Sequence, residues 1–229
     1  MLGSQLVLSE LCKTQQSPSL VIISKGDSYR LISSEFDITK SDKEIRDLAI
    51  PMIITLNGIL KIFMNSLEGI ELGEVYKVDE NGHQDVYMTF SANISVASAN
   101  SPTIKIESSD GTVEIHNPYD GISNLYQKSK GNTAKEKALR LISSSANLNW
   151  SDLYRIFEVV ENDVGTSQVT SWLSNALVER FTHSANSVTA AGDQARHGKE
   201  KTKPPKNPMP IDEARSMIFT ILRKWIMDC

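Results

Sequence analysis

The sequence has few of the residues that build disulfide frameworks and metal sites. It holds two cysteines, Cys12 and Cys229, each near a chain end, and four scattered histidines in 229 residues. Two thiols make no disulfide framework, and Cys-x-x-Cys, His-x-His and His-Glu-x-x-His patterns are missing. We therefore expect thiols in a reducing cytosol and no metal site.

Motifs for small-molecule chemistry and for export are also missing. There is no glycine-rich phosphate loop of the Walker or dinucleotide type and no Gly-x-Ser-x-Gly elbow, so we expect no cofactor. The N-terminus has no basic region followed by a long apolar one, which argues against a secretory signal. The longest apolar-rich stretch, 50–64, contains Pro51, Asn57 and Lys61. It is too short and too polar to predict a membrane span, and we expect a cytoplasmic protein.

The composition is that of a globular protein with a core. Hydrophobic residues make up 40% of the chain and charged residues 23%, while the formal net charge is only -4. A chain with this balance has no overall attraction to polyanions. Any affinity for nucleic acid must come from a local positive patch.

Residues 1–117 predict an α+β domain of hairpins around one long helix. Apolar runs flank Gly26 within 19–36, and a second pair of runs flanks Asp110-Gly111. Strands are also expected over 70–78 and 85–96, on either side of a turn at Asn81-Gly82. Between these segments, Ser41 and Glu44 form a capping box before a broad helical stripe. Pro51 should kink or split that helix.

The rest of the chain predicts an all-α domain. Residues 118–132 are dense in Pro, Gly, Asn and Ser without a visible period, which indicates a linker. Helical stripes then predict a four-helix domain over 133–229, with helices at about 133–144, 151–162, 167–184 and 211–227.

The segment 187–209 is unusually long for a connection, which points to function or to disorder. The stretch 180–206 contains six lysines and arginines against two carboxylates, a charge of +4 in a chain of -4. Its lysines are candidate nucleic-acid contacts: Lys199, Lys201, Lys203 and Lys206. The alternative is a solvated loop whose lysines only keep it soluble.

Two arginine–histidine pairs are the candidate catalytic residues: Arg180 with His183, and Arg196 with His197. Histidine transfers protons near neutral pH, and arginine stabilises charge that develops on phosphate. Together they suit RNA cleavage by the neighbouring 2′-hydroxyl, which needs no metal. The alternative is that His183 packs at a helix end and that Arg196 and His197 tie the loop down.

Two resemblances add to these patterns. The motifs of 148–225, among them Phe-Thr-His-Ser-Ala-Asn at 181–186 and Gly-Asp-Gln-Ala-Arg-His-Gly at 192–198, look like a family of uncharacterised bacterial proteins. The C-terminal part also resembles HEPN helical domains, many of which cleave RNA in bacterial antiviral and toxin systems. His197-Gly198 and Glu213-Ala214 occupy the matching positions. The HEPN pattern separates Arg from His by four to six residues, whereas here Arg196 is directly beside His197.

The leading hypothesis is therefore a nucleic-acid-directed protein, a metal-independent HEPN-like ribonuclease or RNA binder of a bacterial defence or stress system. Its expected partner is RNA, and no membrane is expected. The alternative is a non-catalytic sensor or adaptor that contacts a protein partner in a multi-component system. Salt-dependent RNA binding separates the two hypotheses.

Overall fold

The chain forms two compact units, Met1–Gln127 and Lys128–Cys229. The computed structural model describes residues 5–14, 17–25, 28–39, 41–66, 69–73, 75–76, 87–90, 104–107, 113–116, 119–200 and 203–228. Within them the regular structure is mostly helical, and every described strand lies in the first unit.

Antiparallel strands in the first unit form two separate sheets. The strands are β1 Val21–Lys25, β2 Ser28–Ile32, β3 Val75–Tyr76, β4 Tyr87–Phe90, β5 Ile104–Glu107 and β6 Val113–His116. One sheet has the order β1-β2-β4-β3, and β5 pairs with β6 in the other. The expected pairing of strands within 19–36 and within 103–116 is confirmed. The turns at 26–27, 81–82 and 108–112 lie outside the described residues, and so does much of the predicted strand 85–96.

Helices α1 and α2 lie in the described part of this unit beside the sheets. Helix α1, Gln5–Lys13, was not predicted, and it buries Leu8 and Leu11. Burial raises the pKa of the Cys12 thiol in α1 to about 11, so this cysteine is a protonated, weakly nucleophilic thiol at neutral pH. Helix α2, Asp42–Met64, begins as expected at Ser41, whose hydroxyl accepts a hydrogen bond from the Glu44 N–H at 3.3 Å.

Pro51 was expected to kink or split α2, and it does not split the helix, which is continuous across it. Proline removes the N–H that would bond the carbonyl of Asp47. Both Pro51 and Asp47 are exposed, so water can bond that carbonyl instead. The helix ends at Asn65, which adopts a left-handed φ of +51°.

The continuous helix changes what its apolar stretch implies. The helical segment Lys43–Met64 is long and apolar enough to cross a membrane. The sequence predicts no span because the apolar-rich stretch 50–64 alone is too short. In the structure 56% of the most apolar window is buried inside the protein. The core helix of a soluble protein can be equally long and apolar, so α2 is compatible with a soluble protein.

Helices make up the described regular structure of the second unit. After α3, Ile122–Ser129, they are α4 Thr133–Ser143, α5 Trp150–Val164, α6 Thr166–Trp172, α7 Asn175–Asn186, α8 Val188–Ala191 and α9 Ile211–Met227. Helix α5 contacts α4, α6, α7 and α9 and so lies at the centre of the core. Trp225 of α9 is fully buried, and its indole N–H donates to Asp163 Oδ2 of α5 at 2.9 Å.

Three details of the helical prediction were wrong. The predicted linker 118–132 contains α3, which buries Ile122 and Tyr126 at helical spacing despite its polar composition. The predicted third helix is two helices, because Leu173 and Ser174 are extended and Ser174 caps α7 through the Leu177 N–H. The predicted loop 187–209 begins with the short helix α8, which Ser187 caps.

Candidate nucleic-acid interface

The lysine-rich part of the chain is held against the helices of the second unit at several points. We call residues 196–209 the basic segment, of which 201 and 202 lie outside the described residues. Near its start, the Arg196 N–H donates to the Ala185 carbonyl at 2.9 Å. Near its end, the Met209 N–H donates to the buried Ser184 hydroxyl at 2.8 Å. The described parts of the segment are therefore held against α7 near both ends.

Arg180 of α7 fixes the end of the basic segment. Its Nε donates to the Asn207 carbonyl at 3.0 Å, and its Nη2 donates to the Pro208 carbonyl at 3.1 Å. Its Nη1 pairs with Glu213 Oε1 of α9 at 2.6 Å. The planar guanidinium thus joins α7, the segment and α9, a geometry that the point charge of lysine cannot reproduce.

His183 lies one turn further along α7 and contacts the same segment. Its Nε2 is 2.8 Å from the Lys203 carbonyl oxygen, so this nitrogen carries the proton and donates it. The next residue, Ser184, holds Met209. Arg180, His183 and Ser184 therefore form one row of ties along α7.

Arg196 makes its contacts with α5 instead. Its Nη2 pairs with Glu158 Oε1 at 2.7 Å, and its Nη1 is 3.3 Å from the Tyr154 hydroxyl. The guanidinium carbon also lies 4.5 Å from the centroid of the Tyr154 ring, a cation–π distance. Tyr154 stacks on the buried ring of Phe181 at 6.1 Å. Arg196 thus rests on the aromatic core of the unit.

Glu200 supplies a further tie, to the start of α8. Its Oε2 accepts hydrogen bonds from the Thr189 N–H at 3.0 Å and from the Thr189 hydroxyl at 3.3 Å. A hydrogen bond from the Ser187 hydroxyl, followed by the Thr189 backbone, lowers the pKa of Glu200. The carboxylate is therefore ionised at neutral pH, and it accepts the hydrogen bonds that connect residue 200 to the start of α8.

The described lysines of the basic segment differ from Arg196 in the contacts of their side chains. Lys199, Lys203 and Lys206 are exposed, and within the described residues their ammonium groups form no hydrogen bond or ion pair. Lys201 lies outside those residues. The ties described above hold the backbone that carries the lysines, while the lysine charges face solvent.

The four candidate catalytic residues do not share one set of contacts. Arg180 and His183 bind the end of the basic segment, whereas Arg196 binds α5, and the two arginines pair with carboxylates on different helices. His197 is half-buried beside Arg196. The alternative that Arg196 ties the loop down agrees with its contacts, whereas the ties made by Arg180 and His183 were not expected. Catalysis by the four residues stays a prediction.

Charge is divided unequally between the two units. Residues 128–229 hold 15 lysines and arginines and 11 aspartates and glutamates, which gives +4. Residues 1–127 hold nine against 17, which gives -8. The stretch 180–206 alone carries +4, so the remaining residues of this unit sum to zero, and the excess positive charge of the unit lies in that stretch. A local excess of positive charge of this kind attracts polyanions.

Two cations of this unit were missed in the sequence. Lys137 of α4 and Arg155 of α5 line a cleft of about 580 Å³ between these helices. Each is a charged residue on a predicted helix, a pattern that every solvated helix face shows. Only the packing of α4 on α5 shows that the two face one cleft.

Comparison with known proteins gives no further guidance. No protein-family model matches the chain, and no curated protein or solved structure matches it either. Among the described residues, no group of three or more His, Cys, Asp or Glu side chains could hold a metal ion.

The contacts of Arg180 predict how the basic segment opens. Arg180→Ala removes two bonds to backbone carbonyls and one charged pair, so we expect the free energy of local opening to fall by about 1–3 kcal/mol. Trypsin should then cut after Lys199 and Lys206 roughly tenfold faster or more, as measured by mass spectrometry. Arg140→Ala is the matched control, since Arg140 is exposed on α4 and its side chain has no partner among the described residues. Equal cleavage rates in both variants would show that Arg180 does not hold the segment.

Proposed function

We propose that the helical unit binds RNA through the basic segment, with Lys199, Lys203 and Lys206 contacting the phosphate backbone. Lys201, between them in the sequence, completes the set. The observation that carries the proposal is an anchored backbone on which Lys199, Lys203 and Lys206 are exposed and have no partner within the described residues.

The anchoring favours a binding surface over a loop that is merely solvated. A solvated loop needs no ties, whereas this one is bound by a guanidinium, an imidazole, a hydroxyl and a carboxylate. Ordering the segment in advance lowers the entropic cost of binding a ligand. The +4 charge of the unit also attracts a polyanion to the surface that carries the segment.

The test is the binding of a labelled single-stranded RNA, followed by fluorescence anisotropy at several salt concentrations. Four lysine–phosphate contacts give a slope of about -2.8 in log affinity against log salt, because each contact on a single strand contributes about 0.7. Affinity should fall roughly 50-fold between about 50 and 200 mM salt. Absence of binding at the lowest salt would favour the protein adaptor over the RNA-directed protein.

We also propose that His197 is the general acid or base of metal-independent RNA cleavage at this surface. In support, its neighbour Arg196 is fixed by Glu158 and Tyr154, and an imidazole exchanges protons near neutral pH. His197→Ala should then reduce cleavage by about 10²–10⁴-fold, whereas His183→Ala, whose ring bonds the Lys203 carbonyl, should reduce it far less. RNA binding without cleavage by any of the three proteins would limit the function to binding.

The wider setting is part of the same proposal. We propose a cytoplasmic protein of a bacterial defence or stress system, whose helices α4, α5, α7 and α9 correspond to the four helices of HEPN domains. In support, Glu213-Ala214 lie in the first turn of α9, where the resemblance expects them, and Glu213 pairs with Arg180.

A further inference from the structure

The cleft between α4 and α5 lies at the edge of the helical unit. Helix α5 packs against α4, α6, α7 and α9, whereas α4 packs mainly against α5. Every described residue that lines the cleft belongs to α4 or α5. The cleft is therefore the groove that these two helices leave open on one side, where a further helix could pack.

The lining residues recur at helical spacing on both walls of the cleft. They lie at i, i+3 and i+7 on α4 and at i, i+4 and i+7 on α5: Ala134, Lys137 and Leu141, then Arg155, Val159 and Asn162. Seven residues of helix rise about 10 Å, so the cleft runs along both helices for about two turns. A helix that binds in a groove places its anchor side chains at the same spacing.

Part of the lining is apolar and incompletely covered. Ala134, Leu141 and Val159 are half-buried and face the cleft. The apolar face of a second helix would remove these side chains from water, which favours association. A small inorganic anion would leave the same surface exposed.

The cleft also carries positive charge that has no partner. Lys137 and Arg155 are exposed, and neither side chain forms a hydrogen bond or an ion pair with another described residue. Glu158 is the carboxylate among the described lining residues, and Arg196 binds it at 2.7 Å. A partner with carboxylates beside its apolar face therefore complements the cleft, whereas a basic partner is repelled.

We propose that the cleft between α4 and α5 is a docking site for an acidic amphipathic helix of a partner protein. The apolar face of that helix lies on Leu141 and Val159, and its carboxylates pair with Lys137 and Arg155. The proposal does not rest on RNA binding by the basic segment, because every described lining residue lies outside 196–209.

The experiment is a selection of peptides against the full chain from a display library. The library peptides have about 16 residues, enough to form a helix, with random positions in an alanine-rich background. We expect the enriched peptides to carry apolar residues at i, i+3 or i+4, and i+7, with Asp or Glu beside them. The best peptide is then synthesised and titrated by fluorescence anisotropy, and its affinity should fall as salt screens the charges.

Charge reversal locates the binding site of that peptide. Lys137→Glu/Arg155→Glu should weaken binding about tenfold or more, because like charges then face each other. Arg140→Glu/Lys224→Glu is the matched control, since it reverses two exposed charges outside the cleft and should leave the affinity nearly unchanged. A peptide with Lys in place of each Asp and Glu should bind the Lys137→Glu/Arg155→Glu protein more tightly than wild type.

A further variant tests the shape of the cleft without changing its charge. Ala134 lines the cleft in the first turn of α4, so Ala134→Trp narrows it while keeping both cations. Peptide affinity should fall in this variant, with an unchanged circular dichroism spectrum. The proposal is wrong if no selected peptide binds with a Kd below about 1 mM, or if the best peptide binds the Lys137→Glu/Arg155→Glu protein as tightly as wild type.

Two other occupants of the cleft give different results. Lys199→Ala/Lys203→Ala/Lys206→Ala should keep its peptide affinity, whether or not the basic segment binds RNA. If Lys137→Glu/Arg155→Glu loses RNA affinity while no peptide binds wild type, the cleft is part of an RNA surface. If the same variant changes the sedimentation of the chain without any peptide, a second copy fills the cleft. Either result overturns the proposal of a partner helix.

Discussion

Lys199→Ala/Lys203→Ala/Lys206→Ala is expected to bind single-stranded RNA about 100-fold more weakly than wild type at about 0.1 M salt. Each lysine that neutralises a phosphate releases condensed counterions from the strand, and the gain per contact is about 0.7 in log affinity for each tenfold dilution of salt. Three lost contacts therefore lower the affinity by about two orders of magnitude and make the salt slope shallower by about 2. Anisotropy titrations of both proteins at several salt concentrations measure the two quantities together.

The control for this prediction removes equal charge elsewhere in the same unit. Lys203→Ala/Lys206→Ala is compared with Arg140→Ala/Lys224→Ala, whose side chains are exposed on α4 and α9 without a partner among the described residues. If RNA contacts the basic segment, only the first pair changes the salt slope. Equal effects of both pairs would mean that RNA responds to the overall charge of the unit and that no local surface exists.

Phe181→Ala is expected to destabilise the helical unit by about 3–5 kcal/mol, because it leaves a cavity in the core. Phe181 is fully buried in α7, and the centroid of its ring lies 5.4–6.1 Å from those of Trp150, Tyr154 and Phe157. Such pairs add to the burial of apolar area. Its neighbours Arg180 and Ser184 hold the basic segment, so the same core supports that surface.

Urea unfolding followed by tryptophan fluorescence measures this loss. All three tryptophans, Trp150, Trp172 and Trp225, belong to the second unit, so the signal reports on that unit. Phe219→Ala is the matched control, because Phe219 of α9 is only half-buried and should lose much less stability. Similar midpoints for the two variants would show that the aromatic cluster is not a main support of the unit.

Much of the local structure could be predicted because it depends on neighbours in the chain. The cap at Ser41, the hairpin strands around 26–27 and the last helix at 211–227 follow from spacing and capping chemistry, and all are observed. The helix α3 escaped prediction because its buried residues are few and its polar composition resembles a linker. The break at Leu173 and Ser174 escaped because the apolar stripe continues across it.

The candidate site could be predicted only as a set of residue types. The sequence indicates where the positive charge lies, since lysines at 199–206 stand out in an acidic chain. It does not indicate which cations are already paired, because Arg180 meets Glu213 and Arg196 meets Glu158 only after α7, α9 and α5 pack. Pairing across 33 and 38 residues depends on tertiary contacts that no local pattern encodes.

The sequence by itself determined the local elements of this protein, namely its helical second half, its antiparallel strand pairs and the position of its basic segment. Each of these depends on periodicity, capping or charge within a few neighbouring residues. The tertiary structure decided the rest. It made Arg180, His183 and Arg196 anchors, left Lys199, Lys203 and Lys206 exposed, and brought Lys137 and Arg155 into one cleft. These roles depend on which distant groups meet when the helices bury their apolar faces.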